Sequence, residues 1–346
     1  MEKTVQIYGT LGPACKDTSV LFQMFEAGLT GMRLNLSHTG LEESAEIVSA
    51  FCAAAQQAEV VPQLLIDMQG PELRVGDLPC ALQLENEGEA VLFAIGTDRT
   101  EQEEANAIPV PGQVIAALQE QDEILLNDGK LLLTVCQCHA DHVICKVIRG
   151  GVLTGHKSVK VVGKQVEMPV LTDHDIANIR LAAQYGVTGL MQPFVKSGED
   201  LVHVRTLLEE NNAANVKIFA KIENRDALKE LDSIIRESDV IIIARGDLGN
   251  DMELWELPGV QKDIEIACKK AGRPFVVVTQ MLASMEENPV PTRAEVSDIF
   301  NAVTDGAYGV MITGESAVGK YPVEAVKYLA NTANQAVMWM NRKSER

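Results

Sequence analysis

The sequence predicts an α/β protein: a (β/α)8 TIM barrel with a small β-domain inserted into it. Three observations carry this expectation. Apolar strand-like runs alternate with helical patterns as far as Pro71. The alternation breaks from about Pro71 to about Val166, where the pattern is strand-like and poor in helix. It resumes after Thr172 with five further strands, and three plus five strands alternating with helices fit a closed barrel.

The first strand-like runs are Val5–Tyr8, Met32–Leu36 and Gln63–Asp67. Between them Ser19–Ala27 reads as a helix stopped by Gly28, and Glu42–Ala55 has helical composition. The insertion holds "LRVGDLP", "EAVLFAI", "DEILLND", "KLLLTVCQC" and "HVICKVI", short strands parted by turn residues. After it, Thr172 caps a helix over Asp173–Tyr185 that Gly186 ends, and strand Gly189–Gln192 follows. Ser197 caps the next helix, whose buried face is marked by Leu201, Val204 and Leu208. Then come strand Val216–Ile222, helix Asp226–Arg236, strand Val240–Ala244, helix Val260–Ala271 and strand Phe275–Thr279. Thr292 and Glu295 form a capping box before another helix, strand Gly309–Thr313 follows, and Pro322 opens the last helix. The expected division is 1–70 and 167–346 for the barrel and 71–166 for the insertion.

The bulk properties narrow the function. The 346 residues suit one large domain or two smaller ones, and 46 % hydrophobic with 23 % charged residues is ordinary for a globular protein. A net charge of −19 repels nucleic acid and anionic membranes, so phosphorylated ligands need local cations. "MEKTVQIY" lacks the apolar core of a secretion signal, and no run approaches membrane-spanning length. Seven cysteines form no evident disulfide framework. A reduced cytoplasmic setting is the expectation.

Catalytic groups of such barrels lie at the C-terminal ends of the strands. The second strand ends in Arg33, Asn35, Ser37 and His38, and the third in Asp67 followed by "MQGPELR". The fifth ends in "AKIEN", where Lys221 and Glu223 leave the same side of the strand. The sixth runs into Arg245, Gly246 and Asp247, and the seventh ends in Thr279. Glu223 and Asp247, from neighbouring strand ends, suit a hard cation such as Mg2+ or Mn2+. Lys221 and Arg33 add fixed positive charge, and Gly246 lets backbone N–H groups approach an oxyanion. The set suits phosphoryl or enolate chemistry. Each residue alone also has a structural reading: Lys221 and Glu223 as an ion pair, Asp247 as a helix cap, Thr279 as an ordinary strand residue.

Seven blocks then carry a resemblance. They are "TLGPA" (Thr10–Ala14), "RLNLSH" (Arg33–His38), "DMQGPELR" (Asp67–Arg74), "KIEN" (Lys221–Asn224), "ARGDLG" (Ala244–Gly249), "TQMLASM" (Thr279–Met285) and "PTRAEVSD" (Pro291–Asp298). In this order and spacing the chain resembles pyruvate kinase from Val5 to about Ala330. The resemblance implies a barrel with a β-barrel lid inserted after the third strand. It implies phosphoryl transfer from phosphoenolpyruvate to ADP, giving ATP and pyruvate, in glycolysis. Carried over by position, Glu223 and Asp247 match the ligands of Mg2+ (or Mn2+), and Lys221 the lysine facing the transferring phosphoryl group. Gly246, Asp247 and Thr279 match the enolpyruvate-binding set, with Thr279 in the relay that protonates the enolate. Asn35, Ser37, Asp67 and the Met68 carbonyl match a K+ site. Arg33, His38 and Arg74 match contacts to phosphates or nucleotide, which Asn35 also flanks. "GHKSVKVVG" resembles a drifted lysine-glycine segment, with Lys157 facing the nucleotide. Glu72, where K+-independent members carry Lys, implies K+ activation.

The departures are also specific. The family's usual C-terminal domain has no counterpart, which implies no sugar-phosphate regulation, argues against a tetramer and leaves room for self-association through barrel surface that domain would cover. "MQPFVK" (Met191–Lys196) replaces a Ser-Phe-Val-Arg segment, putting Pro193 for serine and Lys196 for arginine. Ser158 and Val162 replace a glycine and a proline, and Gln69 stands where many members have Lys. "CQCHADHVIC" gathers Cys136, Cys138, His139, His142 and Cys145, but its spacing is no standard zinc knuckle and it reads as a hairpin turning at Ala140–Asp141. Two other functions stay open on the residues: an Mg2+-dependent lyase or aldolase acting through a pyruvate enolate, and a non-catalytic regulatory relative.

Overall fold

The structure, a computed structural model, describes residues 5–37, 39–71, 73–97, 107–127, 129–164 and 166–344. Eight parallel strands close a barrel: β1 (Gln6–Thr10), β2 (Gly31–Asn35), β3 (Gln63–Asp67), β4 (Gly189–Gln192), β5 (Lys217–Ile222), β6 (Val240–Ala244), β7 (Phe275–Val278) and β8 (Gly309–Met311). Each neighbour in sequence is a neighbour in the barrel, and β1 pairs with β8 to close it. Strands of a parallel barrel are covered on both faces, which is why they read as unbroken apolar runs. In β6, Ile241 and Ile243 join the layer shared with the helices, while Val240, Ile242 and Ala244 join Tyr8, Phe219 and Val276 inside the barrel. Among the described residues no helix is long and apolar enough to cross a membrane.

The chain divides into two compact units, one of residues 1–70 and 170–346, the other Pro71–Pro169. In the second unit a six-stranded sheet runs through Val159–Val161, Glu123–Leu126, Leu131–Cys138, His142–Arg149, Glu89–Ala94 and Ala107–Val110. Leu82–Leu84 and Gly151–Leu153 form a separate antiparallel pair. This half-barrel has its own core, centred on residues such as Leu92, Ile124, Leu133 and Val147. "LRVGDLP" is not a strand: only an isolated bridge from Arg74 to Ser158 forms there, and the pairing is carried by Leu82–Leu84 instead.

The hairpin of "CQCHADHVIC" does turn at Ala140–Asp141, with the His139 amide donating to the His142 carbonyl (2.9 Å). Cys145 faces the core, and burial pushes its thiol up to about 12, whereas Cys136 and Cys138 are exposed. The five residues therefore do not share one face. Among the described residues, no three His, Cys, Asp or Glu side chains gather as a metal-binding group.

The helices differ from expectation at several points, among them the additional short helices Gly112–Ala117 and Gly314–Ala317. The segment expected as Asp226–Arg236 is two helices, Arg225–Lys229 and Leu231–Glu237, parted at Glu230, whose φ of −108° and ψ of 16° leave the helical region. The helix capped by Thr172 ends at Leu181 rather than Tyr185. A short helix, Arg245–Asp251, starts directly on the last residue of β6, a join that hydrophobic periodicity does not register.

Candidate active site

Three strand ends bring a charged cluster together. Asn35 and Asp67 are directly paired across β2 and β3. Arg33, two residues earlier on β2, reaches Asp67 Oδ2 with Nε (2.7 Å) and Nη2 (2.7 Å). From β5, Lys221 Nζ lies 2.7 Å from Glu223 Oε1 and 3.4 Å from Asp67 Oδ1. The side chains of Asp67 and Glu223 are only 3 % and 4 % exposed, and that of Lys221 14 %. So the lysine sits between two buried carboxylates.

This setting fixes the charges. Burial works against the Lys221 ammonium, but Asp67 and Glu223 outweigh it and its pKa rises, keeping it cationic. Burial also disfavours the Asp67 carboxylate, yet Lys221 and Arg33 hold it below the usual carboxylate range. Glu223 is pushed up, first by burial and then by the nearby negative charge of Asp247, with Lys221 opposing. Asp247 sits on the first turn of the Arg245–Asp251 helix and is exposed. Two oxygen-donor carboxylates that repel each other, one buried and one open to solvent, fit a hard divalent cation that keeps several waters. A cation there would remove the repulsion that raises Glu223.

At the head of β2 and β3, Ser37 donates to Asn35 Oδ1 from its amide (3.2 Å) and its hydroxyl (2.9 Å). With Asp67 and the next carbonyl, Met68, the oxygens are hard donors of the kind a monovalent cation takes. Both Asp67 and Met68 are buried.

Thr279 follows β7 with φ +78°, a left-handed conformation that is an outlier for a β-branched residue. Arg245 holds its carbonyl with Nε (3.1 Å) and Nη2 (2.7 Å), and Arg245 Nη1 bonds Asp298 Oδ2 (2.6 Å). Gly246 leaves room for it: a Cβ at Gly246 would lie 2.8 Å from Thr279 Cγ2.

In the inserted unit, Arg74 and Lys157 come together on adjacent segments. Arg74 Nη1 bonds the His156 carbonyl (2.7 Å), and the Val75 amide bonds the Lys157 carbonyl (2.8 Å). His38 and Glu72 lie outside the described residues.

The sequence reading assigned no site role to four further residues. The Phe194 amide donates to Glu223 Oε2 (2.8 Å), and Phe194 has φ +53°. Asp175 is fully buried and takes the amides of Gln69 and Gly70. Arg245 and Asp298 support Thr279. Of these, Arg245 was named at a strand end, and Asp175 could have been found as the acidic residue three on from the cap Thr172.

The comparisons agree on one family. The family model described as pyruvate kinase, barrel domain, matches residues 2–326. The chain is 36 % identical over 339 residues to pyruvate kinase of Geobacillus stearothermophilus, covering 96 % of this chain. It is 36 % identical over 352 residues to that of Bacillus licheniformis, covering 99 % of this chain. It spans only 57 % and 58 % of those two relatives. A crystal structure of a pyruvate kinase from Cryptosporidium parvum superposes with a TM-score of 0.86 at 31 % identity, over 97 % of this chain and 69 % of that one.

Proposed function

The chain belongs to the pyruvate kinase family, and on that premise we propose that it transfers the phosphoryl group of phosphoenolpyruvate to ADP, forming ATP and pyruvate. The observation that carries this reading is Lys221, held charged between the buried carboxylates of Asp67 and Glu223. A fixed ammonium beside a hard-cation ligand suits a phosphoryl group whose oxygens gain charge as it moves.

Glu223 and Asp247 would hold Mg2+ or Mn2+, which when bound supplies charge neutralisation at the phosphoryl oxygens. Lys221 would add an ammonium to those oxygens, and Arg33, fixed by Asp67, a second cation. Asn35, Ser37, Asp67 and the Met68 carbonyl would hold K+. The phosphorus–oxygen bond to the enolpyruvate breaks as an ADP oxygen bonds to phosphorus. The Gly246 and Asp247 region receives the enolate, and the Thr279 hydroxyl belongs to the path that delivers a proton to its carbon. In the barrel, Asn35 and His38 are assigned to the nucleotide; in the inserted unit, taken by itself, Arg74 and Lys157 are cations suited to phosphate contacts.

The test is pyruvate formation from phosphoenolpyruvate and ADP with Mg2+, first in K+ and then in Na+. Turnover that depends on K+ is expected. No turnover in either salt would overturn the reading, and equal rates in both would overturn the K+ assignment alone.

A further inference from the structure

Asp175 is more than the acidic half of a capping box. Its Oδ2 takes the Thr172 amide (2.9 Å), its half of the box that caps the helix Asp173–Leu181, and also the Thr172 hydroxyl (2.8 Å). In addition, its Oδ1 takes the Gln69 amide (2.8 Å) and its Oδ2 the Gly70 amide (3.1 Å). Gly70 is the last barrel residue before the insertion, and Thr172 comes soon after the chain returns. One fully buried carboxylate therefore ties both chain crossings together.

The tie continues to Glu223. Gly70 has φ +65°, and a Cβ there would lie 2.6 Å from Pro193 Cγ and 2.9 Å from Phe194 Cδ2. The Gln69–Gly70 backbone is thus pressed against the Pro193–Phe194 turn. Phe194, itself left-handed at φ +53°, aims its amide at Glu223 Oε2 (2.8 Å). Glu223 Oε1 is already fixed by Lys221 at 2.7 Å. The second carboxylate oxygen takes its direction from a backbone turn that needs bracing.

We propose that Asp175 is a positioning residue for the metal ligand Glu223, acting through Gly70 and the Pro193–Phe194 turn. This rests on the reading of Glu223 as a ligand. Partners of a metal-binding carboxylate set its orientation, and losing one typically costs about 10–100-fold in metal affinity.

The experiment is equilibrium Mn2+ binding to the full chain, read by electron paramagnetic resonance of free Mn2+, with thermal unfolding in parallel. Glu223→Gln is expected to remove binding. Asp175→Asn is expected to weaken it about tenfold. Thr172→Ala removes the hydroxyl from Asp175 and from the Gln69 side chain but leaves the Gln69 and Gly70 amides on the Asp175 carboxylate, so it is expected to lower Tm and leave Mn2+ affinity unchanged. Wild-type affinity in Asp175→Asn would overturn the proposal while Glu223→Gln still upheld the ligand. Equal weakening in Thr172→Ala would assign the effect to the cap and also overturn it. Unchanged binding in Glu223→Gln would overturn the ligand assignment and this proposal with it. If Asp175→Asn does not fold, Gly70→Ala, which displaces the turn directly, takes its place. Wild-type affinity in that variant refutes the proposal.

Discussion

The guanidinium of Arg245 grips the carbonyl of Thr279 with two N–H groups, at 3.1 and 2.7 Å, and Asp298 anchors it from the far side. Thr279 needs such a grip, because a left-handed β-branched residue stores about 1–3 kcal/mol of strain. Lysine cannot reproduce the fork. Arg245→Lys should lower kcat about tenfold, equivalent to about 1.4 kcal/mol, with a smaller change in KM for phosphoenolpyruvate. Steady-state kinetics check this, and an unchanged kcat would remove Arg245 from the site.

Gly246 and Thr279 should be coupled in stability. A Cβ at position 246 meets Thr279 Cγ2 at 2.8 Å, while Oγ1 is 3.5 Å away. Gly246→Ala should cost about 1–3 kcal/mol. Thr279→Ser removes Cγ2 and keeps the hydroxyl, so the double variant should recover about 1 kcal/mol relative to the sum of the singles. Chemical denaturation of the four proteins measures the coupling; strict additivity would show that the two side chains do not meet.

Asp67 should govern part of the acid response. Its folded pKa is depressed by Lys221 and Arg33 against the cost of burial. Its stabilisation is therefore complete above the unfolded value of about 3.9 and is lost as pH falls through the lower folded value. Asp67→Asn leaves two half-buried cations without that partner and should destabilise by about 3 kcal/mol at neutral pH. The gap to wild type should narrow only below about pH 4. Urea midpoints across pH test it, and a gap that closed near neutrality would contradict the depressed pKa.

Pro193 should be compatible with turnover. The bond to Glu223 comes from the Phe194 amide, not from residue 193, and the proline ring instead packs over Gly70. Pro193→Ser should keep kcat within about threefold, a change of about 0.6 kcal/mol. A large gain would mean that a hydroxyl at this position is needed and missing.

The sequence made the barrel legible because its strands are apolar on both faces and end in polar residues. Gln63–Asp67, Gly189–Gln192 and Val240–Ala244 have the boundaries read from pattern alone. The cap at Thr172 and the capping box at Thr292 formed as read, and Thr172 also makes a box with Asp175. The inserted unit was less legible because short antiparallel strands such as Leu82–Leu84 gain their identity from distant partners, here Gly151–Leu153. In the site, Lys221, Glu223, Asp67 and Arg33 could be gathered from strand ends. The left-handed backbones of Thr279 and Phe194 could not, since no local pattern favours them and only tertiary contacts hold them. The reach of Asp175 to Gln69 spans 106 positions and is equally invisible in a local window.

The most direct test of the central claim is kcat for Lys221→Met in the phosphoenolpyruvate–ADP assay with Mg2+ and K+. The side chain keeps most of its apolar length and loses its charge between Asp67 and Glu223. If this ammonium stabilises the moving phosphoryl group, kcat should fall by about a thousandfold, or about 4 kcal/mol, with the fold intact by circular dichroism. A folded variant that retained kcat within about tenfold of wild type, a difference of about 1.4 kcal/mol, would contradict the role given to Lys221 and the account built on it.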